Sequence, residues 1–334
     1  MPGAHPSIDP RTPVIIGVGQ ILNRVDQGSE PCEPAALMTQ ALLAAQADSG
    51  VNDALTSAQV IAAVPTLTWR YSNPAALVRE QLGCSAAQTW YATVGGNTPQ
   101  SMMNRLAGSI AAGQIDLALL CGGEAGKSRS MAKKLGRELD WTRQSAQEVP
   151  DWMDESAFLM GHPSEMERGI VMPLQVYPLF ENALWQDSGR SMEEHLQHVG
   201  TIWAGFSRVA EQNQYAWNQT AFTADEITTP SAENRMIGYP YTKRMVSNPD
   251  VDMASGIILC SVERARSLGV SADKWIFVHA GTEAKDRSLT ERKNFFSSAA
   301  MNIAGNRVLE LAEIQIDQVT HLDVYSCYPS AVEL

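Results

Sequence analysis

Residues Gln88 to Glu124 read QTWYATVGGNTPQSMMNRLAGSIAAGQIDLALLCGGE, and the order of textures within them decides the fold. The alternation from Gln88 to Val94 predicts a strand, Gly95-Gly96 a tight turn, and Thr98-Pro99 the N-cap and first turn of a helix. Met102, Met103, Leu106, Ala107, Ile110 and Ala111 then share one face at helical spacing, Gly113 closes the helix, and Asp116 to Cys121 predicts a second strand. A side chain at position 96 would meet the unpaired N–H groups of that helix, where partial positive charge lowers a thiol's pKa and favours a developing oxyanion. Gly96 offers only a hydrogen there.

The same rhythm extends outward. Val14 to Val18 predicts a buried strand, Glu33 to Asp48 a helix ending near Gly50, Gln59 to Val64 a strand, and Asn73-Pro74 caps a helix that stops at Gly83. This βαβαβαβ order predicts an α/β protein with a mainly parallel, helix-covered sheet. From about Lys127 to Asp250 the texture changes to helices and long loops rich in Trp, Met, Pro and charge. Ser191 and Glu194 form a capping box there, opening a helix whose apolar face is Leu196, Val199, Trp203, Phe206 and Ala210. Sheet texture returns at Ser255 to Ser261, followed by a helix to Leu268, the strand Trp275 to His279, a helix around Asn302 to Ala312 and the strand His321 to Tyr325. The expected division is therefore an α/β half over 1–126, an inserted helical subdomain over 127–250, and the start of a second α/β half over 251–334.

Composition excludes several classes. The 334 residues carry a net charge of −12, which gives no basic surface for nucleic acid. Five scattered cysteines without a CxxC pair fit reduced thiols in a cytoplasmic protein. The N-terminal MPGAHPSIDPRTP lacks the apolar core of a signal peptide, and no apolar run approaches the ~20 residues needed to span a bilayer.

Four stretches together resemble the thiolase superfamily: Gly95 to Glu124; Leu159-Met160-Gly161; Val251 to Val270, VDMASGIILCSVERARSLGV; and His321 to Val332, HLDVYSCYPSAV. The last, with NRMIGYPYTKRMVSNPDVD, looks most like the bacterial acetyl-CoA acetyltransferase-like branch. The resemblance implies a layered αβαβα thiolase fold with mixed, mainly parallel sheets, a helical loop subdomain inserted in the first half, and a second half that is incomplete. It also implies acyltransferase chemistry in lipid and acyl-CoA metabolism, coenzyme A or acyl-CoA as ligand, no covalently bound cofactor and no metal. Pairing of two copies through the Trp90-Tyr91-Ala92 strand is a further implication. Gly96 stands at the nucleophile's position and Tyr325 where thiolases carry the Asn of Asn-Glu-Ala-Phe. The family's Gly-His-Pro histidine and second reactive cysteine do not occur before Leu334. The resemblance assigns the thioester to Gly96 and Asn97, a chemical role to Tyr325 and Cys327, and the pantetheine arm to Met160, His162, Ser247 and Asn248. The expected protein is an acyl-CoA binder without standard Cys-dependent activity, or a dimeric scaffold or CoA sensor completed by another chain.

Other motifs compete. Residues 121–128, CGGEAGKS, follow a strand and end in Gly-Lys-Ser, nearly a phosphate loop, and support an alternative nucleotide-binding reading. Gly17-Val18-Gly19 begins a dinucleotide fingerprint but has Leu22 in place of the third glycine. Gly161-His162-Pro163 spells the catalytic tripeptide far too early in the chain. His195 and His198, three apart on a helix, read as a solvated face, and Cys121 and Cys260 as inert strand packing.

Overall fold

The computed structural model describes residues 8–154 and 162–334. Along the chain run β1 (Pro13–Leu22), α1 (Pro34–Ser49), β2 (Val60–Ala63), α2 (Pro74–Leu82), β3 (Gln88–Tyr91), α3 (Thr98–Ala111), β4 (Leu117–Ala125), α4 (Gly126–Lys134) and β5 (Trp152–Met153). Then come α5 (Pro163–Met166), α6 (Pro173–Ser188), α7 (Met192–Gln212), α8 (Ala224–Thr228), β6 (Met236–Gly238) and β7 (Tyr241–Thr242). The last elements are β8 (Asp252–Ser261), α9 (Val262–Leu268), β9 (Ile276–Phe277), α10 (Ala299–Ala312) and α11 (Pro329–Glu333).

The contacts divide the described chain into one unit of residues 8–154 and 249–281 and another of residues 162–248 and 282–334. The first holds a seven-stranded sheet ordered β5-β3-β2-β4-β8-β1-β9. β5, β3, β2 and β4 run parallel to one another, while β8 joins β4, β1 joins β8 and β9 joins β1 antiparallel. β2, Val-Ile-Ala-Ala, is buried at every residue because helices cover both faces. Ile61, Leu117, Leu119 and Ile258 face the core shared with Met38 and Leu42 of α1; Val60, Ala118, Leu120 and Leu259 face Met102, Leu106 and Ile110 of α3. The alternation of each strand thus assigns it to both cores at once.

β8 departs from the expected boundary. Sequence texture places Val251 to Val270 at the opening of a second half, yet β8 is hydrogen-bonded to β4 on one side and β1 on the other, inside the first sheet. Its run DMASGIILCS carries no record of which sheet it enters. The glycines of β1 have a packing role: a Cβ at Gly17 would stand 2.2 Å from the Ala45 carbonyl oxygen, and one at Gly19 would stand 2.1 Å from that of Ala41. They let α1 approach the strand, and no dinucleotide turn forms at this place.

In the second unit α7 opens with the expected box: Ser191 Oγ accepts from the Glu194 N–H at 3.2 Å, and Glu194 Oε2 accepts from the Ser191 N–H at 2.8 Å. Val199, Ala204, Ile227, Tyr241, Met245 and Tyr328 form the core there. The predicted strand His321 to Tyr325 is instead an exposed, irregular segment. It has strand-like residues but pairs with no described strand, and a strand exists only with a partner for its N–H and C=O groups. Among the described residues no helix is long and apolar enough to cross a membrane.

Candidate functional site

The turn between β3 and α3 carries the first candidate residues. β3 stops at Tyr91, before the expected Val94. The Thr98 N–H donates to the Gly95 carbonyl at 3.2 Å, closing the turn, and Asn97 is the N-cap position of α3. Thr98, the expected cap, is the first helical residue; its hydroxyl turns back to the Thr93 carbonyl at 2.9 Å, which removes it from capping. A Cβ at Gly95 would lie 2.9 Å from Thr98 Oγ1, closer than a Cβ normally comes, so position 95 is tight. Gly96 and Asn97 are exposed beside the first turn of a 14-residue helix. That helix supplies partial positive charge where the side chain of a residue at 96 would begin.

The thiols lie elsewhere. Cys121 and Cys260 are buried in β4 and β8, and burial pushes both up to about 12. Cys84 is buried too, its thiol raised by desolvation and donating to the Leu55 carbonyl at 3.0 Å. Cys32 is half-buried and raised, by desolvation first and Glu33 second. Each of these four is disfavoured as a thiolate nucleophile.

Cys327 differs. It is half-buried, and its Sγ lies 3.0 Å from the Tyr325 hydroxyl. Burial and the neighbouring sulfur raise the Tyr325 pKa, so the phenol stays protonated. The Cys327 carbonyl accepts from the Ser247 N–H at 3.0 Å. The second unit therefore brings Tyr325, Cys327 and Ser247 together, with Asn248 exposed next in the chain. His162 caps α5: its N–H donates to Glu165 Oε2 at 2.9 Å and its Nδ1 lies 2.8 Å from Ser164 Oγ. Met160 lies outside the described residues.

The near-phosphate loop has no loop. Cys121 to Ala125 complete β4 in register with Gly256 to Asp252 of β8, and Gly126 to Ser128 begin α4. Ser128 is fully buried, donating through Oγ to Asp252 Oδ2 at 2.6 Å and through its N–H to Oδ1 at 3.0 Å. Lys127 Nζ is paired with Asp250 at 3.2 Å, and a Cβ at Gly126 would meet the Pro249 carbonyl at 2.1 Å. The hydroxyl and amine that would meet magnesium and phosphate are already committed, which corrects the nucleotide-binding alternative.

His195 is also corrected. His198 is exposed as expected, but His195 is fully buried, its Nε2 2.6 Å from Glu181 Oε1. Glu181 Oε2 accepts from the Tyr241 hydroxyl at 2.8 Å, and that hydroxyl lies 2.9 Å from Ser330 Oγ. Burial, then Glu181, pushes the Glu333 carboxyl up to about 7. Glu181, Tyr241 and Glu333 escaped the sequence reading. They are separated by up to 152 residues (333 − 181), so no local spacing joins them.

The edge strand β3 is closed within the chain. Trp90 and Tyr91 pair with Trp152 and Met153 of β5, Trp90 and Trp152 pack at 5.3 Å, and Arg105 lies over Trp152 at 4.4 Å. A second copy adding to this strand there would have to displace β5.

A mixed sheet covered by helices on both faces, fed by a strand-turn-helix whose turn presents an open helix start, defines an α/β protein of thiolase type. No protein-family model and no curated protein matches the sequence. Solved structures do. A monomeric SCP2-thiolase like protein type 1 from Mycobacterium smegmatis is 29% identical over 97% of this chain, with a TM-score of 0.78. This chain spans 62% of that protein's chain. An Ltp2-ChsH2(DUF35) aldolase is similar over 98% of this chain and 76% of its own, at 16% identity and TM-score 0.67. Acetyl-CoA acetyltransferase from Syntrophomonas wolfei follows over 97% of this chain and 81% of its own, at 13% identity and TM-score 0.61. The latter two share the fold alone. The chain belongs to the thiolase superfamily.

Proposed function

We propose that the chain binds an acyl-CoA thioester in lipid or acyl-CoA metabolism, without the cysteine-dependent condensation of standard thiolases. The observation that carries this reading is the turn at Gly95-Gly96: Gly96 and Asn97 are exposed beside the first turn of α3, and residue 96 has no side chain. Claisen condensation needs a carrier for the acyl group, and losing that carrier removes the covalent route. The helix dipole can still polarise a thioester carbonyl without the missing sulfur, though not through Thr98, whose N–H meets Gly95, nor through Pro99, which has none. Gly96 and Asn97 are assigned to that carbonyl, and His162, Ser247 and Asn248 to contacts with the CoA moiety. Tyr325 and Cys327 form the one hydroxyl–thiol pair of the candidate set. A cytoplasmic setting accords with five cysteines in the free form.

Isothermal titration with CoA and acetyl-CoA, alongside turnover assays with acetyl-CoA and acetoacetyl-CoA in both directions, tests the reading. Saturable CoA binding without turnover is expected. Absence of CoA binding, or a melting temperature raised by ATP-Mg and not by CoA, would overturn it. Turnover abolished by Cys327→Ala would place the nucleophile at that sulfur and overturn the inactive reading alone.

A second reading, a scaffold or CoA sensor completed by another chain, is favoured by the likeness to a protein whose name couples Ltp2 with ChsH2(DUF35). A homodimer through β3 is the less favoured form of it, since β5 occupies that edge. Light scattering separates the two: a chain that is monomeric on its own excludes the homodimer and leaves completion by another chain.

A further inference from the structure

The Glu181, His195 and Glu333 cluster lies outside every residue assigned to the thioester. We propose that these three side chains form a binding site for one divalent transition-metal ion, of which Zn²⁺ is the probe. A ring nitrogen of His195 and one carboxylate oxygen each from Glu181 and Glu333 lie within 4.8 Å of one another. Each donor comes from a helix, Glu181 from α6, His195 from α7 and Glu333 from α11, so backbone geometry fixes their approach.

Two independent observations point to a ligand. Among the described residues Glu333 keeps a buried Oε1 without a hydrogen-bond partner, beside the fully buried His195 whose Nε2 meets Glu181. Buried polar atoms are rarely left so, since each forfeits its water without replacement. Convergence supplies the second. Glu181 is 1% exposed and meets His195 out of water. The two carboxyl groups and the imidazole offer three donor atoms that a divalent cation can bridge in place of any proton they share.

The chemistry selects the metal. One imidazole nitrogen with two carboxylate oxygens suits zinc and its first-row neighbours, and leaves a further position for water. Ligands about 2.1 Å from a tetrahedral ion stand roughly 3.4 Å apart. The 2.6 Å His195–Glu181 contact must therefore open by somewhat less than 1 Å, a side-chain movement. The Tyr241 hydroxyl, donating to the other oxygen of Glu181, holds that carboxylate in orientation as an outer partner does at a metal site. Binding releases any proton shared within the cluster to solvent, with no change of oxidation state.

Equilibrium dialysis of the full chain against Zn²⁺, with metal analysis, tests the proposal, and Co²⁺ substitution adds a visible d–d spectrum. One ion per chain is expected, with binding lost in His195→Gln and Glu333→Gln, weakened about 10–100-fold in Tyr241→Phe, and unchanged in the exposed His198→Gln. Circular dichroism verifies that each variant folds, and Glu333→Gln carries the test should His195→Gln fail to. Substoichiometric zinc, or binding unchanged in both His195→Gln and Glu333→Gln, overturns the site.

Discussion

Replacing Gly96 with cysteine puts a measurable thiol where the helix start is proposed to act. Position 96 precedes the N-cap of α3, is exposed, and is not among the glycines with positive φ, so its φ does not oppose an L side chain. A charge at an exposed helix N-terminus gains about 0.3–1 kcal/mol. With about 1.36 kcal/mol to a pKa unit, the new thiol should titrate roughly 0.2–0.7 unit below the ordinary value of ~8.5. At pH 7 the thiolate fraction then rises from about 3% to about 5–14%. The assay is the pH dependence of alkylation in a Cys32→Ser, Cys327→Ser background, where the three remaining native thiols are buried. Gln114→Cys, exposed just beyond the C-terminal end of the same helix, is the internal control. The dipole has the opposite sign there, so that thiol should titrate above ~8.5 by a similar amount. A midpoint at position 96 equal to or above that at position 114 would refute the electrostatic reasoning, and with it the assignment of the thioester carbonyl to this turn.

Ser128→Ala should lower stability to urea by about 1.5–3 kcal/mol, because Asp252 loses a charge-assisted hydrogen bond where burial has already raised its pKa; ATP-Mg should leave the melting temperature unchanged in both proteins. Gly19→Ala should cost about 1–3 kcal/mol or more, read by the same titration, since its Cβ would stand 2.1 Å from a backbone oxygen that moves only with α1. The Glu165 carboxyl is held below its ordinary value, by the Thr290 N–H first, with Thr290 Oγ1 and the His162 N–H adding to it. Its stabilisation is therefore complete above the unfolded carboxylate range near ~4.3 and is lost as pH falls through the depressed folded value. The melting difference between the native chain and Glu165→Gln should be present at pH 7 and close toward pH 3; a difference that grows on acidification would contradict the assignment.

Local physics made the first unit legible. Asn73-Pro74, the Gly-Gly turn and the apolar run of β4 each act within a few residues, and α2, α3 and β4 form there, while β3 ends three residues early and Asn97 replaces Thr98 as the cap. β8 was legible as a strand but not as a member of the first sheet, because its pairing to β1 spans more than 200 residues of chain. The same limit hid the buried cluster. His195 sits at a position whose neighbours Glu194 and Gln197 are exposed, and nothing near it in sequence announces Glu181. The 121–128 tract failed in the opposite way: its letters match a phosphate loop, but Cys121 and the paired glycines continue a ladder that a loop would break.

The burial of the cysteines bears directly on mechanism. With Cys121 and Cys260 held up to about 12, the thiolate fraction of either at pH 7 is about 1 in 10⁵, and both sit inside paired strands. Cys84 is buried and raised by desolvation as well, so a cysteine acyl carrier in this chain must be Cys327 or Cys32, and the Cys32 thiol is raised by its own burial and by Glu33. Cys327 alone among the five has a hydroxyl beside it, the Tyr325 phenol at 3.0 Å. The two proposed modes therefore separate by location: non-covalent polarisation of a thioester belongs to the start of α3, whereas covalent transfer would have to belong to Tyr325 and Cys327. Acylation trapped on Cys327 would move the chemistry to the second unit and leave Gly96 as a binding element only.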